Sequence, residues 1–262
     1  MLNMYSFYHF LWLICIPVII YTVYYVFRNR SDRFKYWFIF SLTILAWIVH
    51  FSRYWLDPEF ATYKLFFVDL CGFSTMLYPF LMLLKNKVLK DYMYYLGGLF
   101  AFLSLAYPNT IDGDPVFIYN TIRFFSAHVI LMMVPILLVA WKLHTPNIKN
   151  IGWMFILLMI GAIYNMALTS FFVEVGLRHS YTNYMGIWGQ EGTVYSYALV
   201  FAPWLTYEKL VAGEIVEKAI PFFYIIPAAF IILMPTWVLM SFPFLNFNKI
   251  KLKFRKIKNN IN

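Results

Sequence analysis

An all-α polytopic membrane protein, a bundle of seven transmembrane helices with its N-terminus outside and its C-terminus in the cytoplasm, is the fold class this sequence predicts. Three observations predict it. Of the 262 residues, 62% are hydrophobic and only 13% charged, about half the charged fraction that covers a soluble domain. Apolar runs of about 20 residues, the length a helix needs to cross a hydrocarbon core, recur along the chain. Lys and Arg concentrate in alternate connections between those runs, the pattern of cytoplasmic loops. A soluble, disordered or nucleic-acid-binding chain is excluded despite the net charge of +9. Cys15 and Cys71 both lie in apolar runs, so no disulfide framework is expected.

The spans, each bounded by charge or proline, are predicted over residues 6–27, 36–56, 65–84, 92–107, 119–141, 151–176 and 219–242. The first is too long for a signal-peptide core and has neither a basic leader nor a small-residue cleavage site after it. The fourth is short and contains Gly97-Gly98, where a neighbouring backbone is expected to approach closely. The sixth is long enough to tilt. Residues 177–218 mix Gly, Asn, Tyr and Trp, then offer an apolar piece, 194–205, that carries Pro203 and is too short to span. They read as a structured extracellular loop with an interfacial or re-entrant segment. The expected organisation is one transmembrane domain, 1–248, followed by a basic cytoplasmic tail, 249–262.

Orientation follows from the loops. Arg28, Arg30, Arg33 and Lys35 follow the first span, Lys85, Lys87 and Lys90 the third, and Lys142 and Lys149 the fifth; six more bases lie in the tail. Together these are 15 of the 21 basic residues, and they set this side in the cytoplasm. The tail is expected to rest on anionic lipid headgroups. On the same side stand only Asp32 and Asp91 of the 12 acids.

Ionisable residues inside spans are costly and mark candidate sites. His9, His50, Arg53, Asp69, Cys71, Arg123, His128, Asn165 and Glu174 all fall in the outer halves of the predicted spans, which suggests one polar cavity open to the outer leaflet. Cys71 and His128 each sit roughly 10 Å below their outer ends at 1.5 Å per residue, so they can share a depth. A lone intramembrane cysteine is usually a small hydrophobe and a lone histidine a packing partner. The charged groups suit interfacial pairing equally. Yet Cys71 with Ser74, Thr75 and Tyr78 makes a polar stripe at helical spacing, and Pro135 can bend the span that carries His128. A thiol beside an imidazole is the minimum set for nucleophilic acyl transfer.

The stretches Asp69-Leu70-Cys71-Gly72-Phe73-Ser74, Tyr78-Pro79, Leu96-Gly97-Gly98, Tyr107-Pro108, Arg123-Phe124-Phe125 and Ser126-Ala127-His128 resemble the YwaF-like family of bacterial integral membrane proteins. Asn183-Tyr184-Met185, Ala202-Pro203-Trp204 and His9 extend the likeness from His9 to about Tyr207. That family is similar to the eukaryotic transmembrane protein 164, a multi-span acyltransferase acting on glycerophospholipids. The resemblance implies Cys71 as nucleophile and His128 as base, with Asn183 among the supporting residues. It departs at Asp69, where the family tends to have a histidine; the carboxylate is free to orient His128 or to pair with Arg53 or Arg123.

The function expected is therefore a cell-membrane lipid acyltransferase or transacylase that moves acyl chains between phospholipid and lysophospholipid through a thioester. With water as acceptor, the same pair is a lipid hydrolase. The alternative is a small-molecule or vitamin uptake component with an outward polar pocket, though the first span lacks the small-residue stripe such a subunit uses for coupling. A third possibility is a purely structural membrane protein. The last span has no lysine for a retinal Schiff base, and no His-Glu-x-x-His, G-x-S-x-G or Walker loop occurs. The five histidines are scattered, so neither a metal nor another cofactor is expected.

Overall fold

A computed structural model of the chain describes residues 1–178, 206–211, 214–219 and 229–245. Asn183, the apolar piece 194–205 and the tail 249–262 lie outside the described residues.

Helix α1 (Phe7–Phe27) begins where extended Ser6 accepts the His9 N–H on its hydroxyl. Helix α2 (Asp32–Phe51) starts the same way at Ser31, with Asp32 in the first turn, where a carboxylate suits the positive helix end. A short α3 (Arg53–Leu56) follows. Helix α4 (Leu70–Leu83) has 14 residues, about 21 Å at 1.5 Å per residue, less than the hydrocarbon core. Helix α5 (Lys87–Tyr92), a π-helical segment (Met93–Gly98) and α6 (Leu99–Ala106) run on without a break. Helices α7 (Tyr119–Ala140) and α8 (Ile151–Glu174) come next. Strands β1 (Thr206–Val211) and β2 (Glu214–Ala219) pair antiparallel, Thr206 opposite Ala219. A second π segment (Ala229–Leu233) leads into α9 (Met234–Ser241).

Among the described residues, four helical stretches are long and apolar enough to cross a membrane: Phe7–Phe27, Asp32–Leu56, Tyr119–Ala140 and Ile148–Glu174. The third predicted span is represented by the shorter α4, because 62–65 form a separate turn and 66–69 are non-helical before it. The seventh does not begin at residue 219 as expected. Ile215 and Val216, β-branched and suited to extended backbone, pair there with Leu210 and Lys209. Shorter apolar helix occupies Ile231–Phe244.

The connections sort to two ends. At one, the Leu2 N–H donates to the Asp114 carbonyl (2.7 Å), the Met4 N–H to the Asp112 carboxylate (2.6 Å), and the Ser52 and Tyr119 hydroxyls meet at 2.8 Å. At the other, the Tyr36 hydroxyl donates to the Met82 carbonyl. There too, buried Asp91 accepts from His144 Nε2 (2.7 Å), the Asn147 N–H (3.3 Å) and Asn150 Nδ2 (2.6 Å). Successive helices therefore alternate in direction.

Trp12 of α1 stacks on Phe125 of α7 with ring centroids 4.5 Å apart. The π segment leaves the Tyr95 carbonyl free to accept the Trp237 indole N–H from α9 (2.8 Å). The Gly97-Gly98 pair does mark a close approach, but side chains make it. A Cβ on Gly97 would lie 2.1 Å from the Tyr78 hydroxyl, and one on Gly98 2.9 Å from the Pro135 ring.

Candidate functional site

Cys71 occupies the first turn of α4 because the chain before it is capped there. Asp69 is extended, its carboxylate accepts the Gly72 N–H, and its carbonyl accepts the Phe73 N–H at 2.7 Å. Gly72 eases this fit, since a Cβ would press within 3.1 Å of the Asp69 carboxylate and 3.2 Å of the Phe67 backbone. The backbone N–H groups of Leu70 and Cys71 remain without acceptors among the described residues, as the first turn of a helix requires.

The polar stripe on α4 divides into structural groups and one free thiol. The Ser74 hydroxyl donates to the Leu70 carbonyl and lies 2.8 Å from the Tyr92 hydroxyl; Thr75 donates to the Cys71 carbonyl at 2.9 Å. Tyr78 donates to the Met93 carbonyl at 3.0 Å. Only Cys71 points its polar atom at another helix's side chain without a backbone claim, its sulfur 3.5 Å from Ser104 Oγ on α6.

His128 lies half-buried on α7, its ring against Phe124 at 4.2 Å. Its Nδ1 is 2.8 Å from the Phe124 carbonyl. A carbonyl only accepts, so Nδ1 carries the proton and Nε2 offers a lone pair. No hydrogen bond joins Cys71 to His128; the thiol is on Ser104 instead. The charges of Asp69, Arg123 and Arg53 act on His128, and the same three act on His50. Five of the sequence-predicted residues thus share one electrostatic neighbourhood.

The other candidates have different situations. His9, fully buried, accepts the Tyr5 N–H on Nδ1 (3.1 Å) and donates from Nε2 to the Leu105 carbonyl (2.9 Å). Both its nitrogens are occupied in pinning α1 to α6. His50 donates from Nε2 to the Leu65 carbonyl (2.9 Å) and stacks on Phe67 at 4.1 Å. Arg53 donates to the Lys64 carbonyl (2.8 Å). Arg123 makes no hydrogen bond or ion pair among the described residues, and its Nε is buried without an acceptor. Glu174 is exposed at the end of α8. Asn165 is 1% exposed, with neither side-chain amide atom partnered among the described residues. It sits one turn beyond Gly161, whose face of α8 meets Leu70 and Phe73, so the amide is on the α8 face turned toward α4.

Two features escaped the sequence reading. Ser104 was invisible because nothing in sequence pairs it with Cys71, 33 positions away. Asp69 as a helix cap was visible in principle: an acidic residue just before an apolar run is a helix-start signal.

Comparison with known proteins places the chain against one family model, described as the TMEM164 family, over residues 4–241. No curated protein and no solved structure matches it.

Proposed function

The chain belongs to the TMEM164 family, and on that premise we propose that it is a membrane-embedded acyltransferase that moves acyl chains between glycerophospholipids and lysophospholipids. Cys71 is the nucleophile and His128 the base. The observation that carries this reading is the state of the imidazole: His128 Nδ1–H donates to the Phe124 carbonyl, so Nε2 is the unprotonated nitrogen and, among the described residues, has no partner that would keep it from receiving a proton.

In the proposed cycle, His128 Nε2 takes the thiol proton. In the resting chain the sulfur is held on Ser104, so the transfer needs a bridging water or rotation of the Cys71 side chain toward His128. The thiolate attacks an ester carbonyl; a C–S bond forms, the C–O bond breaks, and the departing lysolipid oxygen receives the proton from His128. A second lysolipid's hydroxyl then gives its proton to Nε2 and attacks the thioester, which releases Cys71. The open N–H groups of Leu70 and Cys71 are suited to bind the oxyanion at each stage.

The same proposal includes seven spans, a cell-membrane location, an outer N-terminus and a cytoplasmic tail. The alternation of connections between two ends supports it, since the basic loops after α1, α4 and α7 share one end. The test is membrane lipid profiling of wild type, Cys71→Ala and His128→Ala. Loss of acyl redistribution in both variants is expected. An unchanged acyl distribution in both, at normal protein levels, overturns the proposal.

A further inference from the structure

We infer that Arg123, assisted by Arg53, clamps a phosphate group at the end of the bundle that holds the N-terminus, and that this phosphate is the phosphodiester of the glycerophospholipid. The inference rests on the lipid-handling role just proposed and adds the group that recognises the headgroup.

The geometry begins with the Ser52–Tyr119 hydroxyl contact at 2.8 Å, which ties the α2–α3 junction to the first turn of α7. Arg53 follows Ser52 directly, and Arg123 lies one turn after Tyr119. The two guanidinium groups are therefore close enough for their charges to oppose one another. Carboxylates stand near, yet each is already engaged. Asp57 accepts from Lys64 Nζ and from the Glu59 N–H, both at 3.0 Å, and Asp69 caps α4 through the Gly72 N–H. Arg53 spends one N–H on the Lys64 carbonyl. Among the described residues Arg123 spends none, and its Nε is buried without an acceptor.

A desolvated guanidinium N–H with no acceptor is a costly arrangement, and a second cation beside it makes it costlier. An anion with two oxygens spaced for a planar fork relieves both at once, and phosphate has that form. The surroundings favour a lipid over the free ion. Tyr54, Trp55 and Leu56 next to Arg53 are 58%, 75% and 59% exposed, an aromatic and apolar rim of the kind found at headgroup level. Phosphate and acyl esters share one glycerol. A lipid held by its phosphate at Arg123 therefore presents its ester carbonyls to the helices that carry Cys71 and His128.

The test uses the full chain purified in maltoside detergent, with labelled phosphatidylethanolamine, dioleoylglycerol of matching acyl chains, and inorganic phosphate as competitor. Arg123→Gln is expected to weaken phosphatidylethanolamine binding about tenfold, and Arg123→Lys less, because the ammonium keeps the charge but loses the fork. Dioleoylglycerol should bind wild type and Arg123→Gln equally, which also reports an intact fold. Phosphatidylethanolamine binding by Arg123→Gln at wild-type strength overturns the clamp. Displacement of the lipid by millimolar inorganic phosphate, with no difference between phosphatidylethanolamine and dioleoylglycerol in wild type, overturns the lipid assignment. The acyl-transfer proposal fails separately, through active Cys71→Ala, and that result leaves the binding comparison intact.

Discussion

Asp91 Oδ1 and His144 Nε2 lie 2.7 Å apart, 53 positions apart in sequence, with their side chains 0% and 5% exposed. The same carboxylate accepts the Asn147 N–H and Asn150 Nδ2, so one buried acid ties the end of α5 to the connection between α7 and α8. Removing it strands three donors. Asp91→Ala is expected to cost about 3–5 kcal/mol, as breaking a buried pair from one side does. His144→Ala in the Asp91→Ala background should cost much less than it does alone. Thermal unfolding of the four proteins of this cycle in detergent measures both; additive losses would show that the pair is not coupled.

Gly97 has no space for a methyl group, since its Cβ would fall 2.1 Å from the Tyr78 hydroxyl. Tyr78 cannot retreat freely because it donates to the Met93 carbonyl. Gly97→Ala should therefore destabilise the bundle by about 1–3 kcal/mol, the range for overpacking. Gly152, whose Cβ would meet nothing within 4 Å, is the control; Gly152→Ala should leave the unfolding temperature unchanged or raise it.

Asn165 is buried with its amide unpartnered among the described residues, so an apolar residue of similar size gives up no hydrogen bond to them. Asn165→Leu is expected to hold or raise thermal stability and to reduce acyl transfer measured by lipid profiling. Lower stability with full transfer would make the amide a packing element instead.

Asp57 anchors the connection between α3 and α4. Burial alone would raise its carboxyl, but the hydrogen bond from Lys64 and that from the Glu59 N–H outweigh burial and hold it below the ordinary carboxylate value. With the folded value depressed, its contribution is present above the unfolded value of about 3.9 and is lost as pH falls through the folded one. An acid-active protease should leave 57–65 intact down to about pH 4 and cut it below that. Asp57→Asn should be cut already at about pH 6, and equal resistance of the two would refute the anchoring role.

The long helices were legible because length and hydropathy suffice for them: α1, α2, α7 and α8 fall within three or four residues of the predicted bounds at most ends. The interrupted elements were not. Nothing in the run from Lys87 to Ala106 announces that its middle turns π-helical, and the contacts that Tyr78 and α9 make with it come from distant parts of the chain. The site was legible as a list of costly residues at one depth. What separates them is partnership: the sequence shows His9 and His128 alike, and only tertiary contact occupies both nitrogens of the first while leaving Nε2 of the second open. Arg53 and Arg123 differ for the same reason.

The bond from the Trp237 indole to the Tyr95 carbonyl spans 142 positions, which has a consequence for biogenesis. During synthesis the π-helical turn is made long before its partner, and until Trp237 arrives the Tyr95 carbonyl lacks the indole N–H that meets it in the folded chain. The last helix is therefore a late arrival, and a chain cut short before Trp237 lacks this tie to the π-helical turn altogether.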